Sequence, residues 1–368
     1  MAYDVGTTIN NPSNNTVASL RAALTAIENG ADATTIAEVE SILAALRNTG
    51  IADDARVIPV SGNASLSADE GAVHTIASNS NVTISGTTTA PGQHINVLLG
   101  DNSILKLLNA NGFGVRAPNP GHASTAAAGG QTSFNVIASG GTNSITLNKG
   151  PSQVTSTVGN DTILSRGGKD TITGGSGHDT ITAGGKSFVQ AGTSGDTVTG
   201  GQKAASHDTI VGGSGADQIV VAHGNNLLVG TTGRTYLQAG DGLDTVLGGT
   251  GRETIWGSGS TYIQAARGNI VHSQGSDTVY GGEGRNTILS SNGGQFIEGG
   301  KGHLEINVSK TANDTIFGGS HHDVVHIAQS ESNVTDISTS GKTQTITFAN
   351  GQTLTTQNVT IEFKDHHK

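Results

Sequence analysis

Residues 174–182 read Gly174-Gly175-Ser176-Gly177-His178-Asp179-Thr180-Ile181-Thr182. Glycines at the first, second and fourth places allow backbone angles that a tight turn needs and other residues resist. Thr180-Ile181-Thr182 is then a three-residue strand, with Ile181 pointing to one side and the two threonines to the other. The same nine residues return as Gly212-Gly213-Ser214-Gly215-Ala216-Asp217-Gln218-Ile219-Val220, and variants occupy Gly248–Trp256, Gly281–Leu289 and Gly318–His326. Weaker nine-residue units fill 191–199, 221–229, 230–238 and 239–247. So short a period at fixed phase specifies a solenoid. Two units complete a turn of about 18 residues, and stacked turns make two parallel sheets with a thin aliphatic core.

The pattern Gly-Gly-x-Gly-x-Asp-x-apolar-x resembles the RTX, or hemolysin-type calcium-binding, nonapeptide over residues 156–326. The resemblance implies an exported bacterial protein whose sixth-place aspartates and turn carbonyls hold Ca²⁺ between adjacent turns. All-oxygen ligand sets suit such a hard cation. Neighbours on one edge should lie about 18 residues apart. Asp161, Asp179, Asp196 and Asp217 are separated by 18, 17 and 21 residues, forming the best candidate calcium ladder. It then runs into Thr235, Glu253, Asn269 and Asn286. On the other edge Asp170, Asp208, Asp244, Asp277 and Asp314 are spaced by 38, 36, 33 and 37, which is two turns each time. Phe188, Asn226, Tyr262 and Gln295-Phe296 fall between them. Asp323 closes the set of candidate metal residues. For every one of these aspartates, accepting turn N–H bonds is the alternative to holding metal.

The two-turn spacing gives a second-order repeat of about 36 residues, with an aromatic–aliphatic–Gln/Glu element such as Tyr262-Ile263-Gln264 or Phe296-Ile297-Glu298 between cores. The outward ninth place becomes apolar along the chain, at Val211, Val220, Leu247, Trp256, Tyr280, Leu289 and Phe317. An open stripe of that kind calls for a cover, from elsewhere in the chain or from another subunit. Earlier, Thr171/Thr173, Thr180/Thr182 and Thr197/Thr199 form Thr-x-Thr ladders of the sort that ice-binding solenoids also carry.

Outside the repeat, residues 1–54 predict a helical hairpin. Val17, Leu20, Leu24 and Ile27 recur at helical spacing after Thr16, and Thr35-Ile36-Ala37-Glu38 is a capping box. Residues 55–155 are β-like and Gly/Ser/Asn-rich, possible early turns of the solenoid, with a loop over 109–131. In 327–368, strands flank Ala349-Asn350-Gly351-Gln352, a hairpin signal. The expected fold is therefore mainly β: a parallel β-roll or β-solenoid with a small N-terminal helical hairpin and a C-terminal β-hairpin region.

Composition narrows the function. Among 368 residues there are 55 Gly, only 6 Pro and no Cys, so collagen, disulfide scaffolds and thiolate sites are excluded. A net charge of −10 disfavours nucleic acid, and no apolar run is long enough for a membrane span. The first residues lack a secretory leader pattern, and the resemblance to RTX proteins implies an uncleaved type I secretion signal within residues 327–368. No nucleophile elbow, phosphate loop or His-Glu-x-x-His is present. His321, His322, Asp323 and His326 are the densest ligand-like group; they could hold a transition metal, or be exposed histidines at a repeat end. The expectation is a non-enzymatic, extracellular or cell-surface protein that self-associates into a surface layer, fibre or biofilm matrix, with Ca²⁺ assisting folding. The alternatives are an adhesin that binds cell-surface polysaccharide through the Trp256/Tyr280 region, an ice-binding module, and a polysaccharide-modifying enzyme.

Overall fold

A computed structural model describes residues 56–366, apart from 61, 69–71, 77–78, 87–94, 100–103, 110–133, 139–140, 148, 293, 310–312 and 321. The expected helical hairpin at 1–54 and nearly all of the expected loop lie outside the described residues. The fold is a parallel β-solenoid in which two compact units, 1–189 and 190–368, are distinguished.

In the first unit, Asn63–Ala68, Asn81–Gly86, Ile104–Asn109, Ser144–Thr146, Thr162–Leu164 and Thr180–Thr182 pair in parallel, each with the next. We call this the Ile163 sheet. The intervening strands Arg56–Val60, Ala72–Ile76, Ile95–Leu99, Phe134–Ala138, Gln153–Ser156 and Thr171–Thr173 pair likewise as the Ile172 sheet. The solenoid thus begins well before the nonapeptide signature. Val82, Leu105, Ile145, Ile163 and Ile181 from one sheet and Val97, Val136, Val154 and Ile172 from the other are fully buried.

The second unit repeats the plan. Thr197–Gly200, Gln218–Val221, Tyr236–Gln238, Thr254–Gly259, Ile270–Gly275, Arg285–Asn292, His303–Val308, Val324–Ile327 and Thr360–Phe363 form the Trp256 sheet. Thr209–Val211, Leu227–Val229, Thr245–Leu247, Tyr262–Gln264, Thr278–Tyr280, Phe296–Glu298, Thr315–Phe317 and Thr353–Gln357 form the Tyr280 sheet. One inward Ile, Val or Leu per strand supplies the core; Ile219, Leu237, Ile255, Ile263, Val279 and Ile316 are all fully buried. Each contributes roughly 1.5–3 kcal/mol by leaving water.

The C-terminal hairpin forms as expected. Thr343–Phe348 and Thr353–Gln357 pair antiparallel across a turn in which Gly351 has φ of +81°. An additional strand, Val334–Ser340, lies antiparallel on Thr343–Phe348 and is exposed along almost its whole length.

The two-sheet alternation corrects the single outward stripe. Val220, Trp256 and Leu289 face out from the Trp256 sheet, whereas Val211, Leu247, Tyr280 and Phe317 face out from the Tyr280 sheet. Units nine residues apart go to opposite sheets, so only alternate units stack. Trp256 instead stacks on His272 of the next strand, with ring centroids 3.9 Å apart and planes 4° from parallel. The same parity divides the threonines: Thr180/Thr182 lie on the Ile163 sheet and Thr171/Thr173 on the Ile172 sheet, beside Thr162/Leu164 and Gln153/Thr155.

Candidate cation sites at the strand entrances

Nearly every short strand is entered through one buried polar residue (Leu304 takes that place in His303–Val308), and these residues are the candidate sites. Where the entry residue is Asp or Asn, its side chain turns inward and accepts the backbone N–H of the matching residue one rung earlier, a group the parallel ladder leaves without a strand partner. Ser187 and Thr261 instead donate to carbonyls of their own turn. In the first unit Asn143 donates to Asp161 Oδ1 and Asp161 to Asp179 Oδ1, both at 2.7 Å, while Ser152 donates to Asp170 Oδ1 at 2.8 Å. Asp161, Asp170 and Asp179 are at most 2% exposed. Burying them without such bonds would cost several kcal/mol each.

In the second unit the two edges differ. The turns entering the Trp256 sheet carry the glycine-rich signature, and their strand-entry residues run Asp196, Asp217, Thr235, Glu253, Asn269 and Asn286, resuming acidic at Asp323. Asp196 N–H donates to Asp217 Oδ1 at 3.0 Å, Glu253 N–H to Asn269 Oδ1 at 3.2 Å, and Leu304 N–H to Asp323 Oδ1 at 2.9 Å. The second oxygens of Asp196, Asp217 and Asp323 accept from Gly192, Gly213 and Gly319.

On the edge entering the Tyr280 sheet the order is Asp208, Asn226, Asp244, Thr261, Asp277, Gln295 and Asp314, so carboxylates strictly alternate with neutral groups. Here the sequence reading is off by one residue in places. Thr261, not Tyr262, is the buried entry residue, and Ser187, not Phe188, has the same role in the first unit. Asn226 accepts from Asp208 N–H and donates to Asp244 Oδ1. Hydroxyls occupy the second carboxylate oxygen: Ser273 donates to Asp277 and Ser290 to Asp314, at 2.7 and 2.6 Å. In the first unit Ser156 and Ser165 do the same for Asp161 and Asp170, each at 2.5 Å. For Asp161, Asp170 and Asp277 a serine four or five residues ahead of the aspartate was the available signal, whereas Ser290 lies 24 residues ahead of Asp314.

Burial outweighs these hydrogen bonds in several carboxyls. It pushes Asp217, Asp244 and Asp277 above the ordinary range, and Asp314 up to about 6. Burial also raises Glu253, although the N–H groups of Glu253, Gly251 and Gly249 face its carboxyl. Neither Glu253 oxygen completes a hydrogen bond, and Thr235 Oγ1 one rung earlier has none either.

The residues of the glycine-rich edge fit a hard cation. Carboxylates occupy successive rungs, at Asp161 and Asp179 in the first unit and at Asp196 and Asp217 in the second. Turn carbonyls approach so closely that a Cβ at Gly177 would sit 1.6 Å from Gly159 O, and one at Gly233 1.6 Å from Gly215 O. The unpartnered Glu253 oxygens add a further donor set. The alternating edge offers a single carboxylate for every two rungs. Of the histidine group His321 lies outside the described residues; Asp323 is fully buried and held by turn N–H groups, whereas His326 lies between Glu305 and Glu362 at 3.7 and 3.2 Å. Among the described residues no three His, Asp or Glu side chains gather as a metal-binding group.

The chain carries RTX calcium-binding nonapeptide repeats in several copies, matching that family's model at residues 155–187, 190–228, 204–237, 229–261, 273–303 and 310–326. No curated protein matches the chain. RTX repeats are calcium-binding motifs typical of secreted bacterial proteins, and no described helix is long and apolar enough to cross a membrane.

Proposed function

We propose that this chain of RTX repeats is an exported, non-enzymatic structural protein that self-assembles into a surface layer, extracellular fibre or biofilm matrix. Calcium held by Asp161, Asp179, Asp196, Asp217 and Glu253 with the adjoining turn carbonyls would neutralise buried carboxylates and brace neighbouring turns. Ion binding of this kind is folding free energy, available outside the cell where calcium reaches millimolar levels. Type I secretion would deliver the chain there unfolded.

The observation that carries the assembly reading is the strand Val334–Ser340. It pairs with Thr343–Phe348 on one side only among the described residues, and Ile337 at its centre is 48% exposed. An open edge with an apolar centre accepts a strand from a neighbour. Head-to-tail contacts of that kind propagate when the rotation does not close. Electron microscopy of the purified chain should show fibres or sheets in millimolar calcium and none with chelator. A protein that stays monomeric at high concentration in calcium, by analytical ultracentrifugation, would overturn the reading.

A further inference from the structure

Four successive rungs of the Tyr280 sheet carry one outward ring each: Tyr262, Tyr280, Phe296 and Phe317. Four of the chain's 12 aromatic residues thus stand in a single strip. Their centroids follow at 5.4, 6.5 and 5.6 Å, with planes inclined by 41°, 58° and 85°. Fully buried Ile263, Val279, Ile297 and Ile316 lie beneath, which fixes the rings on the outer face. Tyr262 is 40% exposed.

The other outward position of every rung holds a hydrogen-bonding group, and the two swap columns at each step. The ring is first in Tyr262–Gln264, last in Thr278–Tyr280, first in Phe296–Glu298 and last in Thr315–Phe317. Register places Gln264 beside Tyr280, Thr278 beside Phe296 and Glu298 beside Phe317. The face is a checkerboard with a half-turn alternation.

We propose that this strip binds an extended, neutral β-1,4-linked polysaccharide, one pyranose per rung. In such a chain each sugar is turned by half a revolution relative to the last, so apolar C–H faces and hydroxyl edges exchange sides at every residue. The rung spacing of ~4.8 Å is close to the rise of one such sugar. The inclined rings meet the C–H faces flat-on or by an edge, and the alternating Gln, Thr and Glu side chains meet the hydroxyl edges. No Lys or Arg occupies an outward position of these four strands, and Glu298 would repel phosphates, so nucleic acid does not fit. A lipid surface or an apolar protein face would bury the alternating polar groups without partners.

Calorimetry of the full chain in calcium, with cellohexaose as probe and maltohexaose as control, tests this. Cellohexaose should bind and maltohexaose, whose linkage curls the chain, should not. Tyr280→Ala with Phe296→Ala should weaken binding at least about tenfold, whereas Tyr280→Phe and Trp256→Ala should leave it intact. Circular dichroism of each variant checks that the solenoid persists. Absence of cellohexaose binding at millimolar concentration, equal binding of maltohexaose, or equal loss in Trp256→Ala would overturn the proposal. So would a wild-type oligomer that Tyr280→Ala dissolves without any glycan being bound, since a second copy would then cover the strip.

Discussion

The backbone N–H of Asp161 is held by the side chain of Asp179, one rung on, through a 2.7 Å bond to Oδ1. Each strand-entry aspartate therefore secures the turn before its own, and the carboxylate acts as a structural acceptor even where it is also a cation ligand. Asp179→Asn keeps the acceptor, so in chelator it should cost less than about 1 kcal/mol, while Asp179→Ala strands a buried N–H at about 1–3 kcal/mol. Urea unfolding midpoints measure both. Equal costs would show that the charge, not the hydrogen bond, matters at this rung.

Close approach of turns makes a second prediction. At Gly177, φ is +133° and a Cβ would lie 1.6 Å from Gly159 O, so Gly177→Ala cannot be absorbed locally. A loss of at least about 4 kcal/mol is expected, enough to unfold a marginal unit. Gly341, at φ of +63° with nothing within 4 Å, meets only the backbone preference. Gly341→Ala should cost about 1 kcal/mol. Thermal denaturation of the two variants checks the contrast.

How far the sequence carried the fold follows from these contacts. One apolar residue in nine and a glycine pair in phase were enough to define the solenoid and to locate Asp161 through Asp314. Turn lengths were less visible, because successive rungs differ by 16 residues at Thr254 and Ile270 but by 21 at Thr197 and Gln218. A fixed period therefore slid from Thr261 onto Tyr262 and from Ser187 onto Phe188. The pairing of Asn81 with Ile104, 23 residues on, breaks the period, so residues 55–155 read as β-like without a register that fixes the early turns. Trp256 and Tyr280 were read as one platform since both are aromatic ninth residues, and only their opposite sheets separate them. Glu253 was legible as a carboxylate, but its unpartnered oxygens depend on the packing around it.

The raised carboxyls predict an unusual pH response. Asp314 titrates near 6 when folded and near 3.9 when unfolded, so the folded state binds more protons between those values. Stability should then rise as pH falls from 7.5 towards 5, and be lost again as pH rises through 6, by about 2–3 kcal/mol from this group. Asp217, Asp244, Glu253 and Asp277 shift in the same direction. Urea midpoints in chelator at pH 7.5, 6 and 5 should increase in that order, and Asp314→Asn should flatten the trend. A midpoint that falls on acidification would contradict the burial argument.

The two edges of the second unit should answer calcium differently. Asp196 and Asp217 occupy successive rungs among glycine turns, whereas Asp208 and Asp244 are separated by Asn226, whose amide donates to Asp244 Oδ1. Two carboxylates on adjacent turns concentrate negative charge that a divalent ion can offset; a carboxylate already bonded to a neutral amide gives it less to neutralise. Asp196→Asn with Asp217→Asn should lower the calcium stoichiometry measured by calorimetry. Asp208→Asn with Asp244→Asn should leave it unchanged while preserving both acceptors. Glu253→Gln tests the intermediate case, in which two buried oxygens without hydrogen bonds become one oxygen and one amide. It should remove part of the calcium-induced rise in unfolding temperature and leave the chelated protein at least as stable as the parent, because a buried charge has gone. If the Asp208/Asp244 pair lowered the stoichiometry as much as the Asp196/Asp217 pair, the ions would be shared by both edges and the alternation would have no bearing on metal.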